Sequence, residues 1–205
     1  MVCRILLIFG LTLLSAPGFG GPGRQAKING KASQQQPSRS QLEALLSREF
    51  GASTKLSGAE SGGIVVGDFN GDGNPDLAVM VDVEKARDEL LQHGIKLIDT
   101  DPYSKTNGST LQMAKLEVHN CAGLAIVHGS ANGWTEPAVR FLTYDCFSSA
   151  KLFPRRRQVL AARGSRAAAP HLMGDSLVLD LENGGKSLIY WTGRTYKGYG
   201  LASGD

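Results

Sequence analysis

The segment Asp68-Phe-Asn-Gly-Asp-Gly-Asn-Pro-Asp76 constrains this chain more than any other. Asp68, Asn70, Asp72 and Asp76 set oxygen-bearing side chains at alternate positions, and Gly71 and Gly73 allow a tight backbone path between them. Three carboxylates this close repel one another unless a counter-ion intervenes. A hard cation such as Ca2+ takes roughly six to eight oxygens at about 2.3–2.6 Å, which a short loop supplies when alternate side chains turn inward and a main-chain carbonyl joins them. Asn74 stands where that carbonyl is expected, so Asp68, Asn70, Asp72, Asn74 and Asp76 are the candidate calcium residues. Gly63 to Phe69 and Leu77 to Val83 read as strands flanking the loop. Leu77 to Val81 is apolar at every position, which predicts a central strand covered on both faces. An EF-hand does not fit, because its twelfth loop position would be Val79 rather than an acid. A plain Asn-Gly or Asp-Gly turn explains the glycines but not the alternating oxygens.

Gly67-Asp-Phe-Asn-Gly-Asp-Gly-Asn-Pro-Asp-Leu77, followed by an apolar strand, resembles the calcium loop of FG-GAP and VCBS-type repeats, the blades of integrin-like β-propellers. The resemblance is a single copy over about residues 62–81. It implies that Asp68, Asn70, Asp72 and Asp76 hold calcium between two strands, in a family associated with adhesion and extracellular ligand binding. A closed propeller takes roughly four or more blades, and no fixed-period repeat runs through this chain.

Glycine supplies 26 of the 205 residues, well above the usual ~7%, which favours a turn-rich chain over a helical bundle. The expected fold is therefore α+β, mainly antiparallel β-sheet with hairpins and one or two short helices, and not a complete β-propeller. The formal charge of +3 is too small to demand a nucleic-acid partner, and none is expected.

Residues 1–20 read as a secretory signal peptide: Arg4 begins it, Ile5 to Leu14 is apolar, and Ala16, Gly18 and Gly20 are small residues at a cleavage point. The apolar run falls short of the ~20 residues that span a bilayer, and no later segment comes closer. Residues 21–39, with Gly-Pro-Gly and a Gln-Gln-Gln run, lack the large apolar residues that offset ordering entropy, so they read as a flexible leader. Residues 40–205 then form one domain of a secreted or periplasmic protein.

In an oxidising compartment, Cys121 and Cys146 read as a disulfide. Leu124 to His128 and Ala138 to Tyr144 form a predicted hairpin around an Asn-Gly turn, and the two cysteines are centred on that same turn. A hairpin without a bulge would set them opposite each other. Closing the loop would contribute about 3.5 kcal/mol by chain entropy.

Elsewhere, Ser40-Gln-Leu-Glu43 matches a capping box for a short helix reaching Phe50 and stopping at Gly51. Val83 to Leu91 suits a second helix, Asp99 to Thr110 a polar loop and Leu116 to His119 a short strand. Lys151 to Gly174 has no clear period and reads as loop or marginal helix. Ser176 to Leu181, Ser187 to Trp191 and Thr195 to Leu201 read as a meander, with Tyr190, Trp191, Tyr196 and Tyr199 packing across it. No zinc spacing links His93, His119, His128 and His171, and no nucleophile motif occurs. Asp99, Asp101, Asp145 and Asp180 could serve as acid and base only if the fold brings them together.

The expected function is that of a noncatalytic calcium-binding module of the cell envelope or exterior, with an unidentified extracellular ligand or protein as partner. The alternatives are a secreted hydrolase braced by calcium and a weak binder of anionic surfaces through Arg155-Arg-Arg157.

Overall fold

The computed structural model describes residues 36–57, 63–82, 86–112, 122–134, 140–144, 147–157, 159 and 168–201. Among the described residues two helices, α1 (Arg39–Phe50) and α2 (Arg87–Gln92), accompany two sheets. The first sheet contains β1 (Lys55–Leu56), β2 (Ile64–Gly67), β3 (Asp76–Asp82), β4 (Leu97–Asp99), β5 (Thr110–Leu111), β6 (Ala122–Val127) and β7 (Arg140–Tyr144). Its order is β1-β3-β6-β7-β4-β5, and β2 pairs with β3 on the edge that β1 also uses. The second sheet is an antiparallel meander, β8 (Phe147–Phe153), β9 (Ser176–Leu181), β10 (Lys186–Trp191) and β11 (Tyr196–Gly200), in the order β11-β10-β9-β8. Neither sheet closes, and the fold is α+β with mainly antiparallel pairing; β4 and β7 are the parallel exception.

The strand period of two divides the core. On β3, Leu77, Val79 and Val81 face Leu42, Leu46 and Phe50 of α1, while Ala78 and Met80 face the second sheet. This is the two-sided cover that the apolar run predicts, with all five residues buried. On β6, Ala125 and Val127 meet the helical layer, and Leu124 and Ile126 meet Leu177, Leu179 and Ile189 of the second sheet. The outer face of the second sheet buries Leu188 and Tyr199 against Leu172 and Phe153. Glu49, buried on α1, receives Arg48 Nε at 2.7 Å and Arg140 Nη1 at 3.0 Å, fastening the helix to β7. Among the described residues no helix is long and apolar enough to cross a membrane.

The predicted hairpin of β6 and β7 forms without a bulge, and its five residue pairs are centred between Gly133 and Trp134. That is also the midpoint of Cys121 and Cys146, which themselves lie outside the described residues, as do the expected signal segment, most of the expected leader and the strand expected over Leu116 to His119. The meander forms as expected, with Leu177 and Leu179 buried on one face and Leu181 packed beside them.

Three expectations need correction. The capping box of α1 is Ser38 with Gln41, not Ser40 with Glu43, so Ser38 and Arg39 belong to the helix rather than to a leader. Ser38 Oγ accepts the Gln41 N–H at 3.3 Å and Gln41 Oε1 accepts the Ser38 N–H at 2.8 Å; Glu43 instead pairs with Arg39 one turn earlier. The stretch from Lys151 starts in a strand: β8 runs to Phe153, a bulge between Phe147 and Ser149 puts Phe147 and Ala150 on the same face, and Phe153 is buried on the opposite face, which together hide the strand period. Asp99 is not loop but the end of β4, a short buried strand with too few residues to show a pattern.

Candidate metal centre

The loop 68–75 connects β2 to β3, whose register runs from Ile64 with Val79 to Gly67 with Asp76. Asp68, Asn70 and Asp72 each accept a nearby main-chain N–H on a side-chain oxygen. Asp68 Oδ1 accepts the Gly71 N–H at 2.8 Å and its Oδ2 accepts the Gly73 N–H at 3.0 Å. Asn70 Oδ1 accepts the Asp72 N–H, and Asp72 Oδ1 accepts the Asn74 N–H at 2.7 Å. Asn70 Nδ2 also reaches Asp72 Oδ2 at 2.9 Å. Gly71 and Gly73 have φ of 79° and 87°, as the tight path requires. Asp72 is exposed, Asp68, Asn70 and Asn74 are half-buried, and Asp76 is fully buried.

Asp76 organises the inner side. Its Oδ2 accepts the Phe69 and Asn70 N–H groups at 2.8 and 3.1 Å, and its Oδ1 accepts the Gly129 N–H at 2.8 Å. Burial pushes this carboxylate up to about 7, against the downward pull of the three N–H donors. For Asp72, burial acts upward, but hydrogen bonds from Asn74 and Asn70 prevail and hold it below the usual carboxylate value.

Two other segments clamp the loop. On one side Gly129 lies against Pro75, whose carbonyl accepts Trp134 Nε1–H at 2.8 Å. On the other, Asp175 donates its N–H to Asp68 O at 2.7 Å and accepts the Asp68 N–H on Oδ2 at 3.2 Å. Gly174 permits this crossing: a Cβ there would lie 2.5 Å from Phe69 O, 2.6 Å from Gly71 N and closer still to Asp68 O. The loop thus joins β3 and β6 of the first sheet to the lead into β9 of the second.

Behind it, His128, Phe141, Trp191 and Tyr196 form a ring cluster with centroid separations of 5.0–5.8 Å. His128 Nε2 and Tyr196 Oη are 2.7 Å apart, and burial lowers the imidazole to about 4. Trp191 and Tyr196 therefore pack as cross-strand aromatics expected of the meander, but onto the first sheet.

Among the described residues no three Asp, Glu, His or Cys side chains converge as a metal site. The calcium chemistry expected here also uses the Asn70 amide and main-chain carbonyls. The loop's donor set fits such an ion on two grounds. Each oxygen of Asp68 accepts a single bond, and Asp72 accepts from Asn70 and Asn74, which leaves lone-pair capacity on both carboxylates. Among the described residues no Lys or Arg forms an ion pair with Asp68, Asp72 or Asp76. The other carboxylates are engaged elsewhere: Asp180 with Lys151 and Ser149, and Asp99 with Ser104, Thr106 and the Asp101 N–H. Asp145 lies outside the described residues.

Sequence reasoning found the loop but missed Gly129, Gly174 and Asp175, which lie 53 or more positions from Asp76 or Asp68 in the bonds they make or allow. A glycine and an aspartate before a strand are ordinary turn residues, so no local pattern marks them. Comparison with protein-family models, curated proteins and solved structures finds no match.

Proposed function

We propose that this protein is a noncatalytic calcium-binding module of the cell exterior or envelope, and that calcium at the β2–β3 loop fastens its two sheets together. One observation carries the reading: the loop gathers side-chain oxygens at positions 68, 70 and 72, leaves their charge without an ion-pair partner among the described residues, and is clamped to both sheets. Asp68, Asn70, Asp72 and Asp76 would hold the ion, with a main-chain carbonyl at Asn74, as in the FG-GAP and VCBS-type loops that the sequence resembles. Calcium supplies charge compensation for the carboxylates, and the chain supplies the two clamps.

A single short loop suits the weak affinity of extracellular modules, roughly 10⁻⁴ to 10⁻³ M. A calcium concentration about tenfold above the dissociation constant then adds about 1.4 kcal/mol to stability. Melting curves of chelator-treated protein, with and without calcium, should show this increase, and Asp72→Ala should abolish it. Identical curves for the unmutated protein after verified removal of metal would refute the site.

A further inference from the structure

The candidate calcium loop shares a carboxylate with a turn of three arginines. Asp175 Oδ2 accepts the Asp68 N–H at 3.2 Å while its Oδ1 accepts the Arg155 N–H at 2.9 Å, so one side chain bridges the two. The turn is closed by the Arg157 N–H donating to Pro154 O at 2.9 Å, and Arg155, Arg156 and Arg157 are all exposed. Arg155 Nε donates to Leu172 O at 3.2 Å, and the Arg157 guanidinium stands 5.2 Å from the centre of the Phe153 ring. Among the described residues no carboxylate forms an ion pair with any of the three.

Two exposed apolar side chains flank the turn, Leu152 on the face of β8 opposite Phe153 and Met173 beside Gly193. Four large apolar residues are exposed among those described, and two of them, Leu152 at 41% and Met173 at 39%, lie here. A Cβ on Gly67 would meet both Leu152 Cδ1 at 2.7 Å and Asp175 Oδ2 at 3.3 Å, so Leu152 adjoins the bridging carboxylate. Met173 follows the residue whose carbonyl Arg155 binds, and its main chain runs against Gly71 of the loop.

We propose that Leu152, Arg155, Arg156, Arg157 and Met173 form a docking surface for a bilayer containing anionic phospholipid, held beside the β2–β3 loop by Asp175. Guanidinium groups bind phosphate through paired donors, and an anionic leaflet attracts them. Exposed apolar side chains enter the boundary between headgroups and acyl chains. A soluble polyanion would satisfy the arginines but offers nothing to Leu152 and Met173, which is why the lipid surface is the better match. The metal dependence of docking, and that alone, rests on the calcium reading: an ion on the loop would offset the Asp68 and Asp72 charges that otherwise repel the same leaflet.

The test is sedimentation of the purified protein with vesicles of phosphatidylcholine alone and of phosphatidylcholine mixed with phosphatidylglycerol, in calcium and in chelator, beside retention on heparin. Binding should require phosphatidylglycerol, weaken with salt and strengthen with calcium. Replacing Arg155, Arg156 and Arg157 by Gln should lower vesicle binding on the order of 100-fold, while the triple Lys variant keeps it within a few-fold. Leu152→Ser with Met173→Ser should weaken vesicle binding but not heparin retention. Arginine-dependent vesicle binding that is equal in calcium and chelator supports the surface and counts against the metal reading. Calcium bound in solution without any vesicle binding overturns the surface and leaves the metal site standing. Heparin retention without a vesicle preference, or vesicle binding unchanged in the Gln variant, also overturns it.

Discussion

Gly174→Ala tests the junction between the loop and the second sheet with the smallest possible perturbation. The added methyl carbon would stand 2.5 Å from Phe69 O and 2.6 Å from Gly71 N, with Asp68 O nearer still, and all three are main-chain atoms that no rotamer change can move. The backbones must separate by about an ångström, which costs roughly 1–3 kcal/mol as overpacking. Separation also breaks the Asp175 N–H to Asp68 O bond and weakens the return bond to Asp175 Oδ2, at about 1 kcal/mol net for each. A loss of about 3–5 kcal/mol follows, or roughly 6–20 °C in melting temperature for a chain of this size. Near-ultraviolet circular dichroism and tryptophan fluorescence during thermal and urea unfolding would measure it. Gly73→Ala is the control, since Gly73 has φ of 87° but no atom within 4 Å of its Cβ position. That substitution should cost only the backbone term, about 1–2 kcal/mol. A Gly174→Ala protein as stable as the unmutated one, or no less stable than Gly73→Ala, would refute the close crossing and with it the clamp on Asp68.

Two further outcomes follow from the core and the hairpin. Burial lowers His128 to about 4 from its ordinary 6.5, so the unfolded chain binds more protons in that window. Its contribution is present above about pH 6.5 and is lost as the pH falls through about 4, by up to about 3 kcal/mol. Asp76, raised to about 7, acts oppositely, contributing below its ordinary 3.8 and losing that contribution as the pH rises through 7. The difference in unfolding free energy between unmutated protein and His128→Phe, followed from pH 7 to pH 4, isolates the imidazole. The difference should shift in favour of the variant on acidification; a constant difference would contradict a neutral buried His128. For the hairpin, protein made in an oxidising compartment should yield Cys121 and Cys146 peptides linked under non-reducing mass spectrometry, and two free thiols would overturn the bridge.

The sequence revealed most where one physical rule acts locally. Five consecutive apolar residues, Leu77 to Val81, can be accommodated in a strand only if both faces are covered, and β3 is covered by α1 and by the second sheet. The centre of the β6–β7 register, between Gly133 and Trp134, falls within the expected turn stretch Gly129 to Pro137, because a two-stranded antiparallel pair has one free parameter. Sequence reading failed where a second element decides the outcome. In β8 a bulge and burial on both faces together masked the period of two, and two overlapping Ser-x-x-acceptor patterns competed for the cap of α1. Most instructive is Asp76, read from the spacing as one more calcium ligand, with no sign of how deeply it is buried. Its N–H partners include Gly129, 53 residues away, so its burial is fixed by the approach of β6, which no local spacing encodes. Asp175 was invisible for the same reason: its role exists only once β9 has been brought beside Asp68.

Calorimetric titration of chelator-treated protein with calcium, alongside Asp72→Ala, addresses the loop most directly. One saturable site with a dissociation constant of roughly 10⁻⁴ to 10⁻³ M, lost in Asp72→Ala and not reproduced by magnesium at equal concentration, is the expected result. No saturable heat from the folded, unmutated protein, or equal binding by Asp72→Ala, would contradict calcium at the β2–β3 loop.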